Sequence, residues 1–308
     1  MDVLVEVERS GLVESRHRGV LVHTGPDGSV DWAIGDPDTV IFPRSANKPV
    51  QALAMLEAGL LLEGSELAIA TSSHHGEVRH LEQVRAVLAR AGLDESALQT
   101  PASWPDSPHE HARVIREGGG KAPILMDCSG KHAAMLLTCV LRGWSTHDYL
   151  APEHPLQRQV TATFTRLTGA APDVVGVDGC GAPLLATSLV RLARAVGTIA
   201  TGESEPARRL VAAITAHPTL VSGTRAPERH FVEQLPGAIA KTGAESTMVV
   251  GWPDGSALAG KIEDGSARAL TVAMSRAVEL LGGPVVLPEP RPVVLGGGRP
   301  VGEIRPAF

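Results

Sequence analysis

Aromatic side chains are scarce. Phe, Trp and Tyr make up only 3% of the 308 residues, too few for the stacking platforms that single-stranded nucleic acids need. A basic excess is missing too: 28 Lys and Arg stand against 34 Asp and Glu, for a net charge of −6. A phosphate-backbone partner selects the opposite balance, so no nucleic acid is expected. The cysteines, Cys128, Cys139 and Cys180, are few and odd in number, which argues against a disulfide framework and leaves core residues or metal ligands. No apolar run reaches membrane-spanning length, and the start MDVLVEVERSG carries neither a basic stretch nor an apolar signal region. We therefore expect a cytoplasmic protein with no membrane partner. Internal repeats and low-complexity tracts are absent. The Pro/Gly-rich stretches, Pro101–Pro108 and Gly282–Pro300, are too short to read as flexible linkers.

What is present is apolar bulk, 43% of the chain. That suffices for a core of Ala, Val and Leu in one domain over residues 1–308, or in two intimate subdomains. Residues 2–35 read as two or three strands with a turn at Gly25–Pro26–Asp27–Gly28. From Ser45 to Gly59 the pattern is a helix apolar nearly all round (Val50, Leu53, Ala54, Met55, Leu56), hence buried. Pro49 is tolerable only in its first turn, which puts Ser45 at the N-terminal end.

An apolar strand, Leu67–Thr71, comes next, then a helix over Gly76–Gly92 with Leu81, Val84 and Leu88 on one face. A helix from Ser129 to Gly143 follows, then a short buried strand at 173–177. Helices near 183–196, 204–216 and 266–281 and strands near 247–251 and 257–262 complete the chain. Helices and strands do not alternate as regular parallel units, so the expected class is mixed α/β.

Four segments concentrate chemistry. The first is Arg44-Ser45-Ala46-Asn47-Lys48. Residues three apart share a helix face, so Lys48 lies over the Ser45 hydroxyl. A buried lysine can serve as the base that a weak serine nucleophile needs, and the helix start adds amides for an oxyanion. The bland alternative is a capping serine followed by a surface lysine, but a helix apolar all round offers that lysine no solvent face. The second is Ser72-Ser73-His74-His75-Gly76-Glu77, either a capping box or a second hydroxyl brought beside the first.

The third and fourth are Asp127-Cys128-Ser129-Gly130-Lys131-His132 and Val177-Asp178-Gly179-Cys180-Gly181. Zinc takes soft and nitrogen donors in a tetrahedron, and Cys128, Cys180 and a neutral Lys131 fill three corners. Taken alone, two distant cysteines are more often small buried hydrophobes than ligands. His132, adjacent to Lys131, points to a different helix face, and Cys139 sits in an apolar run as a core residue. Lys241-Thr242-Gly243 with an S-x-x-K marks penicillin-recognising serine enzymes, although no Ser-Asp-Asn lies between the two.

Taken together these segments resemble the rhizobial-type L-asparaginases, a class unrelated to the Thr-nucleophile and N-terminal-nucleophile asparaginases. The resemblance runs in order along nearly the whole chain. It starts with Val13-Glu14-Ser15, His17 and Gly19, Pro43 to Pro49, and Ser73-His74 with Glu77. It continues through Cys128 to His132, Asp178 to Gly181, Lys241 to Glu245, Lys261 with Asp264-Gly265, and Val301 to Pro306.

The resemblance implies a serine β-lactamase/glutaminase-like fold, an antiparallel-rich sheet with flanking helices, in a homodimer that hydrolyses L-asparagine. It implies that Lys48 activates Ser45 with Ser73 in the same site, and that one accessory zinc per subunit sits on Cys128, Lys131 and Cys180. Asp178 is then expected to hold the substrate ammonium or a metal-bound water, with Arg44, His74 and Lys261 on the substrate side. Gly260 departs from the pattern, where a bulkier apolar residue is expected before Lys261. Two rivals stand beside this reading: a penicillin-recognising-type serine hydrolase, and a non-catalytic amino-acid or zinc-binding protein.

Overall fold

In the computed structural model, β1 (Asp2–Arg9) and β2 (Leu12–Thr24) form a hairpin across Ser10–Gly11, both at left-handed φ (51° and 85°), as a two-residue turn between twisted strands requires. The structure describes residues 1–286 and 292–308, so part of the Pro/Gly-rich stretch Gly282–Pro300 lies outside the described residues. β3 (Val30–Ile34) folds back onto β2. β4 (Val40–Ile41) pairs with β7 (Thr187–Ser188), and β5 (Val175–Val177) with β6 (Pro183–Leu185), as two small ladders.

β8 (Ile239–Gly243), β9 (Thr247–Gly251) and β10 (Ala257–Ile262) form a meander, and β11 (Val293–Gly296) and β12 (Arg299–Pro306) a closing hairpin. The large sheet runs β11-β12-β1-β2-β10-β9-β8, every pairing antiparallel. This is the expected antiparallel-rich mixed α/β architecture.

Eleven α-helices among the described residues flank the sheet: α1 (Lys48–Glu57), α2 (Gly64–Ala70), α3 (Val78–Arg90), α4 (Pro108–Arg116), α5 (Ser129–Arg142), α6 (Pro155–Thr168), α7 (Leu189–Ala200), α8 (Glu205–Ala216), α9 (Pro218–Val221), α10 (Pro227–Gln234) and α11 (Ala267–Leu280). None is long and apolar enough to cross a membrane. α7 and α11 cover opposite faces of β10: Ala257 meets Gly197 of α7, while Gly260 faces Met274 of α11, as the period of two along a strand dictates.

Gly260 stands where two side chains already meet. A Cβ on it would lie 2.6 Å from the Met274 sulfur and 2.9 Å from Leu21, so Met274 already fills the space a bulkier residue would take. α1 sits in the helical layer against α5, α6, α7 and α8, and its residues from Lys48 to Leu56 are all buried, as its lack of a polar face predicts.

Three local expectations are corrected. Leu67–Thr71 is not a strand but most of α2, packed on α3, α5, α8 and α9. A short apolar run has no period that separates the two forms, and helical neighbours on every side select the helix. The stretch at 183–196 begins as β6 and β7, and its helix starts only at Leu189. The strand at 173–177 is exposed rather than buried, with Val175 at 53% and Val177 at 79% accessibility, because it pairs in a two-stranded ladder outside the main sheet.

Candidate active site

The chain enters the site through Arg44–Asn47, a single 3₁₀ turn leading into α1. Arg44 turns it with a left-handed φ of 52°, a backbone state that costs a non-glycine residue free energy. Ser45 is left half-buried at the turn, where first-turn amides lack helical acceptors. β8 runs hard against it. A Cβ on Gly243 would lie 2.9 Å from the Ala46 nitrogen and 3.2 Å from the Ser45 nitrogen, so only glycine admits this approach.

Lys48 is 1% exposed. Its Nζ donates to Ser73 Oγ at 2.8 Å and to the Ser72 carbonyl, and lies 3.9 Å from Asp127 Oδ2. The amine thus reaches across to the second serine, and no direct Ser45–Lys48 hydrogen bond is present among the described residues. Burial pushes the Asp127 carboxyl up, but Lys48, His74, Cys128 and Lys131 together outweigh it and hold the acid below its ordinary range.

Ser73, His74 and His75 form an extended segment tied down on both sides. The amides of Ser73 and His75 donate to the carbonyls of Val221 (2.9 Å) and Ser222 (2.8 Å), and that of His74 donates to Asp127 (2.9 Å). The alternation puts the Ser73 and His75 side chains on one face and His74 on the other.

His74 is fully buried, and its protonation pattern follows from its partners. Nδ1 accepts from the Gly76 amide at 3.1 Å, so Nε2 carries the hydrogen toward Ser129 Oγ at 2.7 Å. Burial and the stacked His80 ring push it down to about 3, so it stays neutral. With both nitrogens engaged, His74 positions the segment instead of facing a ligand. A capping box does exist here, but Glu77 is the cap of α3 and His80 its partner, which leaves Ser73 free of that duty.

Lys241 and Glu228 form an ion pair at 2.6 Å, 1% and 2% exposed, and Thr242 Oγ1 donates to the same carboxylate oxygen at 2.6 Å. Burial raises Glu228 while Lys241 outweighs it, bringing the acid down to about 2. Lys241 is lowered, by burial first, with the Lys48 charge acting in the same direction. Lys261, by contrast, donates to the carbonyls of Glu245 and Ile262. It braces the β8–β9 turn, and none of its hydrogen bonds reaches Ser45, Ser73 or Lys48.

On the other side Arg44 Nε donates to Asp178 Oδ1 at 2.7 Å, an oxygen that also accepts from the Gly179 amide at 2.8 Å. Cys128, Cys180 and Ala182 make a small buried cluster of their own, and Lys131 Nζ donates to Cys180 Sγ at 3.2 Å. A hydrogen bond from Cys128 lowers the Cys180 thiol and raises Cys128 itself. Burial pulls Lys131 down, but the two sulfurs outweigh it and hold it above its ordinary value. His132 hydrogen-bonds the Tyr149 hydroxyl through Nδ1 at 2.8 Å. Its other ring nitrogen, Nε2, is buried and the ring lies against Cys180.

The structure therefore brings Ser45, Lys48 and Ser73 into one neighbourhood, with Arg44, Asp178 and the Cys128–Lys131–Cys180 cluster beside it. His74 bonds Ser129 and Gly76 on the other face of its segment, and Lys261 bonds the carbonyls of Glu245 and Ile262. Sequence reasoning gave no role to Asp127 or Glu228, and singled out Lys241 without placing it. Asp127 stood inside a quoted motif, whereas nothing local marks Glu228. A cleft of about 710 Å³ reaches His75, two residues from Ser73, with Asp106 and Thr224 also in its wall, while Ser45, Ser73 and Lys48 do not line it.

The chain is 15% identical to a β-lactamase from Mycobacterium bovis, with a TM-score of 0.50 over 86% of this chain and 95% of that one. A Bacillus glutaminase is 12% identical, with a TM-score of 0.47 over 87% and 92%. No curated protein sequence matches. The profile of the L-asparaginase II family matches residues 5–306. Nearly the whole chain is thus accounted for, and this amidohydrolase belongs to the L-asparaginase II family.

Proposed function

We propose that the chain hydrolyses L-asparagine to L-aspartate and ammonia by acyl transfer through its serine–lysine cluster. The observation that carries this reading is Lys48: a fully buried amine bonded to Ser73, one helical turn from Ser45, in a member of an asparaginase family. Ser45 attacks the side-chain carboxamide, and its proton passes through the Ser73 hydroxyl to a neutral Lys48. A neutral lysine keeps two N–H donors, one for the Ser72 carbonyl, and turns its lone pair to Ser73. The hydroxyl then donates where the ammonium had donated. First-turn amides at Ser45 stabilise the oxyanion. Ammonia leaves with a proton returned along the same path, and water repeats the sequence to release aspartate.

The direct Lys48–Ser73 bond favours a second reading, in which Ser73 is the nucleophile. A diazoketone analogue of asparagine, followed by peptide mass mapping, tells the two apart. Label on Ser45 supports the first reading, label on Ser73 replaces it with the second, and label on neither rejects both.

The donor set of Cys128, Lys131 and Cys180 suits zinc: two thiols share one small buried cluster, the Lys131 amine bonds one of them, and the His132 ring borders it. Zinc held there would supply a fixed positive charge beside the Arg44–Asp178 pair. The residues of this chain perform the acyl transfer, and Asp178 orients Arg44 next to Ser45.

A further inference from the structure

An amino-acid amide brings an ammonium that must be met by a carboxylate once it leaves water. The acids around the reactive serines are largely spoken for. Asp127 faces Lys48, Asp178 is held by Arg44 and the Gly179 amide, and Glu228 is paired to Lys241 and Thr242. Glu77 accepts from the Thr224 amide at 2.9 Å and lies 3.1 Å from Arg79.

Asp106 differs. Its carboxylate has no hydrogen bond or ion pair among the described residues, and it lines the 710 Å³ cleft. Its backbone is nonetheless fixed. Pro105 packs on Gly76, where an added Cβ would come within 2.6 Å of the proline Cβ. On the other side the Ser107 amide donates to the His75 carbonyl at 3.0 Å. Asp106 is thereby bracketed against the segment that carries Ser73, and the side chains of Ser73 and His75 point to the same face. Asp127, His75 and Lys48 all act on its charge. Glu82 also lines the cleft, but it is exposed on the outer face of α3.

We propose that Asp106 receives the α-ammonium of the substrate, so that the cleft at His75 is the amino-acid head-group subsite and the side-chain amide points inward to the serines. This rests on asparagine being the substrate. Burial and Asp127 together raise the Asp106 carboxyl, a cost that an incoming ammonium removes.

The experiment compares L-asparagine with succinamate, its analogue lacking the amine, in the wild type, Asp106→Asn and Asp106→Glu. The ratio of kcat/KM for asparagine over succinamate falls about 10- to 100-fold in Asp106→Asn, the value of one charge-assisted hydrogen bond, and Asp106→Glu restores part of it. An unchanged ratio overturns the proposal. Calorimetry with L-aspartate and succinate reads the same selectivity without turnover: the aspartate preference of the wild type disappears in Asp106→Asn. Equal binding of the two by the wild type, or no binding of either, overturns the subsite. Absence of ammonia release together with a retained Asp106-dependent aspartate preference rejects the hydrolytic reading alone.

Discussion

Lys48 Nζ stands 2.8 Å from Ser73 Oγ, which makes the second serine the lysine's direct partner and joins two segments 25 residues apart into one proton path. Removing the link should cost what a general base is worth. Ser73→Ala and Lys48→Met are each expected to lower kcat for ammonia release by about 10²- to 10⁴-fold. Ser73→Ala activity within threefold of the wild type would show that the proton takes another route.

Gly243 is the point where β8 touches the nucleophile's turn. Gly243→Ala would drive a methyl into the Pro43 carbonyl oxygen and place it 2.9 Å from the Ala46 nitrogen, so the backbone of the turn must move. Positioning errors of this kind are costly in catalysis. We expect kcat to drop at least about tenfold and the melting temperature to fall, while the circular dichroism spectrum at assay temperature still reports the folded state. Unimpaired turnover would mean that the turn adapts freely.

The Glu228–Lys241 pair lies in the interior, and loss of one partner strands the other. Glu228→Gln is expected to destabilise the fold by about 3–5 kcal/mol, measured by denaturant unfolding at neutral pH. The pair also sets a pH window. Glu228 falls from 4.5 to about 2 on folding, so its contribution is complete above pH 4.5 and is lost as the pH drops toward 2. The variant should lack that part of the acid limb. Parallel pH profiles for the two proteins would refute the assignment.

Metal analysis addresses the sulfur cluster. Purified protein is expected to carry about one zinc per chain, and Cys128→Ala/Cys180→Ala to carry none. Equal zinc in both rejects these ligands. Titration of the metal-stripped protein with a zinc-competing chromophore gives the same answer without reference to turnover.

The sequence was most readable where a motif is local. The S-x-x-K turn, the buried α1 and the strands β9 and β10 follow from spacing and period within a few residues. Partnerships across the fold were not readable. Glu228 looks like any acid in the first turn of a proline-capped helix, and only the packing of α10 on β8 delivers it to Lys241. Lys261, read with the site by resemblance, pairs with Thr247 across the ladder and donates to Glu245 in the hairpin turn that follows Gly243, a placement no local motif announces. Asp127 acquires a role only because α1 carries Lys48 to it. α2 was misread because apolar neighbours surround it, which erases the periodicity a surface helix would show.

The segment from Ser73 to His75 is stitched on one edge to the loop after α9 and on the other to Asp127 ahead of α5. Three remote stretches of chain must therefore be in place before either serine has its neighbours. Such a site has no partly assembled form that works: heat or denaturant should switch it off as a unit, with loss of turnover tracking loss of the surrounding scaffold and no earlier, separate decay of the catalytic groups.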